Sequence, residues 1–303
     1  MSVFWSATAL LPAGWAQNVR FTVANSRIAS VEVDTPCGPN DEVHQITLPG
    51  LANVHSHAFQ RGMAGLAEHR GYGASANSDD NFWSWREVMY RFLDRLTPDD
   101  MEAIAAMAYA EMLETGYTHV GEFHYLHNDI EGRAYSDPAE MATRIATAAQ
   151  ATGIGLTLLP VFYAHSNFGG KAPNHGQRRF IHNLDSFARL LEACRPLISD
   201  GDRLGIAPHS LRAVTPDELT ALITMQGQGP FHIHAAEQQK EVHDSLAFSG
   251  KRPVEWLLEH VGIDEHWCLI HATHLTDAET DALAASGAVA GLCPITEIGR
   301  AHV

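Results

Sequence analysis

The sequence predicts an α/β protein, a (β/α)8 barrel of the TIM type lacking its eighth strand, with a small N-terminal β-sheet accessory domain. Three observations predict it. After Leu48, apolar runs of strand length alternate with helical stretches, the rhythm of parallel βα units whose strands are buried on both faces. Histidines end several of those runs, where such a barrel gathers its reactive groups. Residues 1–46 instead contain alternating β-branched segments separated by turn residues, the pattern of short antiparallel strands. A doubly wound sheet is the main rival. It is disfavoured because no Gly-x-Gly-x-x-Gly turn follows the first barrel strand, and because the candidate ligands end many strands and do not gather at one crevice.

The elements follow in order. Val19–Val23 and Arg27–Val33 supply strands of the accessory sheet. Leu48–His57 is the first barrel strand, and Thr118–Phe123, Gly155–Phe162, Arg203–Pro208, Phe231–His234, Trp267–His271 and Ala288–Cys293 are the next six. Thr97-Pro98-Asp99-Asp100 opens a helix that runs through Met112, Thr215-Pro216-Asp217-Glu218 opens another, and Thr276-Asp277-Ala278-Glu279 resembles a capping box. The domain boundaries are set at 1–46 for the accessory part, 47–296 for the barrel, and 297–303 for a non-native tail.

Composition narrows the function classes. With 45% hydrophobic and 18% charged residues, the 303-residue chain is an ordinary globular protein. A net charge of -16 with three lysines argues against binding nucleic acid or an anionic membrane, both of which need basic patches, so the expected partner is a small molecule. Cys37, Cys194, Cys268 and Cys293 are widely spaced and form no Cys-x-x-Cys pair, which points to free thiols in a reducing compartment. The N-terminus lacks the basic segment of a signal peptide, and no run reaches transmembrane length. The expected location is the cytoplasm.

His55 and His57 are the first candidate ligands, because residues i and i+2 of a strand present their side chains to one face. One His-x-His among 19 histidines is weak by itself. Further strand-end groups strengthen it: His209 follows strand four, His234 ends strand five with Glu237 three residues later, and His271 ends strand six. Several imidazoles beside a carboxylate describe a catalytic zinc or iron site with a position open to water, and Glu237 would shuttle the proton of that water. Other histidines take plainer readings. His232 is packed two residues deeper than His234, His274 shapes the loop after strand six, and His119, His124 and His127 are read as solvent-exposed. Trp83 and Trp85 are read as packing, with a lid as the alternative.

The segments Leu48–Arg61, Phe82–Glu87, Gly121–Tyr125, Ala207–Arg212, His232–Glu237 and Leu292–Pro294 together resemble the amidohydrolase superfamily in its mononuclear aminohydrolase branch. Within that branch they are most similar to the deiminases that convert N-formimidoyl-L-glutamate to N-formyl-L-glutamate and ammonia in histidine degradation. The resemblance spans roughly residues 45 to 296. It implies a metal, most simply zinc with iron as the alternative, held by His55, His57 and His234. It implies proton handling by Glu237 and His271, and substrate binding by Gln60, Arg86, Tyr125, His209 and Arg212. Arginine suits a substrate with two carboxylates, since its planar fork binds them bidentately. Strand four holds no lysine to be carbamylated between two metals, so one ion is expected. A homodimer is expected by resemblance.

One departure stands out. The superfamily places an aspartate at the end of strand eight, whereas this chain stops ten residues after Cys293, and Glu297–Val303 match none of the family's loop. The expectation is a C-terminally truncated enzyme, inactive as it stands and with exposed strand edges. Two alternatives remain at this point: a related aminohydrolase acting on a purine, a pyrimidine or an adenosine derivative, and a non-catalytic metal-binding fragment.

Overall fold

A computed structural model describes residues 1–66 and 82–300; the side chains of Phe82, Trp83, Ser84, Ile298 and Arg300, and so the expectation for Trp83, lie outside the description. The chain divides into two compact units, Met1–Leu51 and the remainder from Ala52. Among the described residues, no helix is long and apolar enough to cross a membrane.

The first unit is a four-stranded sheet of β1 (Ser2–Leu11), β2 (Gly14–Ala24), β3 (Arg27–Glu32) and β4 (Glu42–Thr47), in the order β3-β2-β1-β4. Its first strand, Ser2–Leu11, is a ten-residue element that is apolar without clean alternation and so lacks the mark carried by Val19–Val23 and Arg27–Val33. The β1-β2 hairpin closes on Gly14, whose φ of +112° suits glycine. The sheet also corrects the expectation of an antiparallel accessory domain: β4 runs parallel to β1. The long connection from β3 permits this, and Asp41 pins its end by accepting from the Gly38 amide at 2.8 Å and from Arg20 at 2.8 Å. Ala9, Val19 and Phe21 form a small core, with Phe4 stacked on Phe21 at 4.7 Å.

The second unit is the barrel wall. Its strands are β5 (Leu51–Ser56), β6 (Tyr117–His124), β7 (Gly155–Phe162), β8 (Arg203–Leu204), β9 (Ala207–Pro208), β10 (Phe231–Ala235), β11 (Trp267–His271) and β12 (Val289–Gly291). The β6-β7, β7-β8, β7-β9, β10-β11 and β11-β12 pairs are parallel. Bridges from Ile206 to Phe231 and from Ser210 to His234 join β9 to β10, so seven parallel staves follow one another among the described residues. The single fourth strand read from sequence is broken in two. At the break Gly205 donates to Leu158 O, and a Cβ there would lie 2.4 Å from Pro230 O. Likewise at Gly121, where β6 crosses β5, a Cβ would lie 2.8 Å from Val54 O.

Helices α1 (Phe82–Leu93), α2 (Pro98–Glu114), α3 (Glu140–Thr152), α4 (Leu184–Cys194), α5 (Pro216–Met225), α6 (Gln239–Ser249), α7 (Pro253–His260), α8 (Asp277–Ser286) and α9 (Pro294–Arg300) complete this unit. The three predicted starts are real caps: the Thr97, Thr215 and Thr276 hydroxyls accept from the amides of Asp100, Glu218 and Glu279. Phe123, Leu158, Phe162, Phe187, Phe231 and Leu269 lie in the core between and beneath these layers.

The expectation of exposure for His119, His124 and His127 is overturned. His124 and His127 are each 2% exposed, and His119 is half-buried with its Nε2 2.9 Å from Thr157 Oγ1. Burial on both faces explains His124, since every residue of β6 from Val120 to His124 is buried. His127 donates from Nε2 to Val161 O at 3.0 Å, and its ring lies between those of His124 and His182, at 5.1 and 4.9 Å. Burial pushes the pKa of His124 down to about 3, and those of His182 and His232 down to about 4.

These rings stay neutral when folded but take up protons near pH ~6.5 once unfolded, so the unfolded state binds more protons throughout that interval. Their contribution is complete above the unfolded value and is lost as the pH falls toward 4, by up to ~1.4 kcal/mol per pH unit from each ring. Urea unfolding at pH 7, 6 and 5 is expected to give steadily lower stability, whereas equal stability at the three pH values would contradict the burial.

Candidate active site

The site begins with a tautomer. His57 donates from Nδ1 to Phe123 O at 2.9 Å, and His234 donates from Nδ1 to His209 O at 3.0 Å. A carbonyl only accepts, so both rings carry their proton on Nδ1 and present a bare Nε2. His55 Nε2 lies 3.1 Å from His57 Nε2 and 3.2 Å from His234 Nε2. One hydrogen on His55 could satisfy at most one of these contacts. Three neutral imidazoles directing nitrogen lone pairs at a common point are the donor set of a divalent cation, so these residues fit a metal. The Nδ1 bonds to main-chain carbonyls are the outer partners that orient metal-binding imidazoles.

Local structure holds this lattice in place. His55 lies on β5, where its amide donates to the Asn53 side chain, and His57 follows the strand as the residue before the 3₁₀ helix Ala58–Met63. That turn is pinned by Glu122, which is 1% exposed and accepts from the Ala58 amide at 2.7 Å and the Tyr109 hydroxyl at 3.1 Å. Burial pushes the Glu122 carboxyl up to about 7. The His209 carbonyl takes both the backbone and the ring N–H of His234. Phe123 packs under the group, 4.4 Å from the His234 ring and 5.2 Å from the His55 ring. Burial is the main cause holding the His55, His234 and His209 pKa values well below the ordinary range, and it takes His57 down to about 4.

The remaining candidates gather around these three rings. His271 stacks on His234 at 5.4 Å, with its Nε2 3.6 Å from Glu237 Oε1 and its Nδ1 3.6 Å from Glu297 Oε1. Gln60 donates to the Tyr125 hydroxyl at 3.4 Å, and the Tyr125 ring lies 4.9 Å from His57 and 5.8 Å from His209. His209 is 4.8 Å from His234, and the charges of both Arg212 and Arg86 add to burial in depressing its pKa. Arg86 donates to the Tyr90 hydroxyl at 2.7 Å. Burial opposes the charge on Arg212, yet Glu241, Tyr163 and Glu237 outweigh it and keep the guanidinium protonated. Backbone φ is positive at Ala236, His271 and Ala272, the sharp turns by which β10 and β11 leave the sheet.

Four residues of this region went unassigned in the sequence. Tyr163 directly follows β7 and packs on His209 at 4.6 Å, so the strand-end rule could have found it. Glu122 and Phe123 stood within the Gly121–Tyr125 segment without an assigned role. Glu241, on what reads as a polar helix, carries no sequence signal.

A barrel of this form bearing clustered histidines at its strand ends defines a class of metal-dependent hydrolase. The model described as the amidohydrolase family matches residues 46–302, and the chain belongs to that family. Residues 1–45 match a model described as the formimidoylglutamate deiminase HutF N-terminal domain. Over 300 residues the chain is 52% identical to formimidoylglutamate deiminase of Pseudomonas aeruginosa, covering 98% of this chain and 65% of that protein. It is 26% identical over 257 residues to 5-methylthioadenosine/S-adenosylhomocysteine deaminase of Natronomonas pharaonis, covering 84% of this chain and 52% of that one. Among solved structures, an amidohydrolase from Brucella melitensis superposes with a TM-score of 0.94 at 55% identity, over 99% of this chain and 66% of that one. A zinc-bound adenosine deaminase from Xanthomonas campestris, at 20% identity and a TM-score of 0.69 over 99% of this chain and 67% of its own, shares the fold. The chain thus spans about two thirds or less of the length of these proteins.

Zinc at a hundredfold excess over its Kd is expected to stabilise the chain by about 2.7 kcal/mol. His57→Ala should abolish that thermal shift, and an unchanged shift in the variant would remove His57 from the ligand set.

Proposed function

We propose that this chain carries the active site of a deiminase that hydrolyses N-formimidoyl-L-glutamate to N-formyl-L-glutamate and ammonia. The observation that supports this substrate most directly is Arg212, whose buried Nε has no hydrogen-bond partner, with Arg86 as a second cation whose charge also reaches His209. A dicarboxylate needs two cationic partners, and the planar guanidinium is the side chain best matched to a carboxylate. The similarity to the Pseudomonas aeruginosa deiminase supports the same reading.

His55, His57 and His234 would hold one zinc ion, iron being the other metal that suits imidazole. When bound, the metal lowers the pKa of water toward ~7 and so makes hydroxide available at neutral pH. Arg212 and Arg86 hold the two carboxylates. Gln60, Tyr125 and His209 line the approach to the formimidoyl carbon and orient it. Glu237 accepts the proton of the attacking water, and His271, 3.6 Å from Glu237, fixes the direction of attack. A C–O bond forms at the formimidoyl carbon, giving a tetrahedral centre. Glu237 then passes its proton to the terminal nitrogen, the C–N bond breaks and ammonia leaves, while the hydroxyl proton of the tetrahedral centre returns to Glu237 as the C=O of the formyl group forms. The enzyme would work in the cytoplasm, and the subunits would pair as a homodimer.

Ammonia release from N-formimidoyl-L-glutamate by the zinc-loaded protein extended to the length of its relatives, compared with release from guanine, cytosine and adenosine derivatives, tests the assignment. Preference for a purine or pyrimidine would replace the substrate, and zinc binding without any ammonia release would favour a non-catalytic metal-binding role. Arg212→Ala should raise KM about ten- to a hundredfold, on the order of a charge-assisted hydrogen bond, and leave zinc content unchanged. Loss of zinc in that variant would count against the role given to Arg212.

A further inference from the structure

Glu241 has no place in the chemistry above, yet it is 2% exposed and lies among the groups that do. It occupies the third position of α6, from which a glutamate ordinarily reaches back to the amide of the residue that caps the helix. Here the cap residue is Gln238, whose side chain makes no capping bond, and the Glu241 carboxylate reaches further back. Its Oε1 accepts from the Ala236 amide at 3.2 Å and its Oε2 from the Glu237 amide at 3.2 Å. Ala236 has a φ of +53°, a conformation that costs a residue with a Cβ and persists only where its surroundings hold it. Glu241 supplies that hold, and so fixes the backbone from which Glu237 projects.

The same carboxylate faces the other end of the site. Oε2 lies 4.0 Å from a terminal nitrogen of Arg212, inside ion-pair range but beyond hydrogen-bond length. Arg212 Nε is buried without a hydrogen-bond partner. Burial pushes the Glu241 carboxyl up and the Arg212 charge holds it down, so Glu241 sits as the counter-charge of the guanidinium without hydrogen-bonding to it, and Nε remains for an incoming carboxylate.

We propose that Glu241 is a positioning residue that couples the carboxylate-binding end of the site, Arg212, to the proton-transferring end, Glu237. This rests on the roles given to Arg212 and Glu237 above. Occupation of Arg212 by a substrate carboxylate draws on the same anion that holds the Glu237 backbone, so the two ends respond together.

The test uses the zinc-loaded protein, with N-formyl-L-glutamate as the probe, and measures its Kd by calorimetry, the amide exchange of residues 236 and 237, and zinc content. Glu241→Gln should weaken probe binding by at least about tenfold and speed exchange at both amides, with zinc content unchanged. Combined with Arg212→Ala, it should bind the probe no more weakly than Arg212→Ala alone, the signature of two residues acting as one unit. Glu241→Asp keeps the charge near Arg212 but withdraws from the amides, so it should retain most of the affinity while exchange still accelerates. The proposal fails if Glu241→Gln leaves both Kd and exchange as in the unmodified protein, or if the two substitutions weaken binding additively. A general loss of stability with no such coupling would reduce Glu241 to a structural role. Should the unmodified protein fail to bind the probe, the substrate reading falls and the coupling with it. Amide exchange would then report solely whether Glu241 holds the Glu237 backbone.

Discussion

The hydrogen bonds from two ring nitrogens to two backbone carbonyls, His57 to Phe123 and His234 to His209, are the constraint on which the site depends. They fix which nitrogen of His57 and His234 is protonated before any ligand arrives, and so leave two of the three imidazoles with a bare Nε2 aimed at a shared focus. Phe123 lies on β6 beside β5, and His209 directly follows β9 beside β10, so the tautomer is set by strand register. A slip of one residue would turn both rings away from the focus. Burial contributes as well, because imidazoles held neutral near pH 7 do not have to lose a proton before binding a cation.

The buried carboxylates extend this logic outward. Glu122 fastens the turn after His57, and Glu241 fastens the turn before Glu237. Both are almost wholly enclosed and accept from backbone amides where the chain leaves a strand, Glu241 with both oxygens and Glu122 with one, its other oxygen taking the Tyr109 hydroxyl. Such groups cost a great deal to bury unless their lone pairs are satisfied, and here backbone amides and the Tyr109 hydroxyl satisfy them. The region is thus organised in two layers: side chains that meet the focus, and a surrounding layer of main-chain and carboxylate bonds that aim them.

The sequence made the barrel and the clustered strand-end histidines legible, because both leave local marks. Strand-length apolar runs, the Thr97, Thr215 and Thr276 caps, and histidines at strand ends are each written within a few consecutive residues. What escaped depends on contacts distant in sequence. The burial of His127 comes from a partner in β7 and from His182, and the clamp of Glu241 on Ala236 depends on a reversal of the backbone that a polar helix start does not announce. The break in the fourth strand arises from the close approach of Pro230 to Gly205, again a tertiary cause. The parallel pairing of β4 with β1 was hidden for a similar reason, since a connection's length sets no direction by itself.

X-ray absorption at the zinc edge of the protein loaded with one equivalent of the metal tests the central claim most directly. The account predicts one ion whose protein ligands include three imidazole nitrogens at ~2.0–2.1 Å, with no sulfur. A sulfur neighbour at ~2.3 Å would place the ion instead on the His271, Cys293 and Glu297 cluster, and would contradict the claim that the locked tautomers of His57 and His234 form the metal centre.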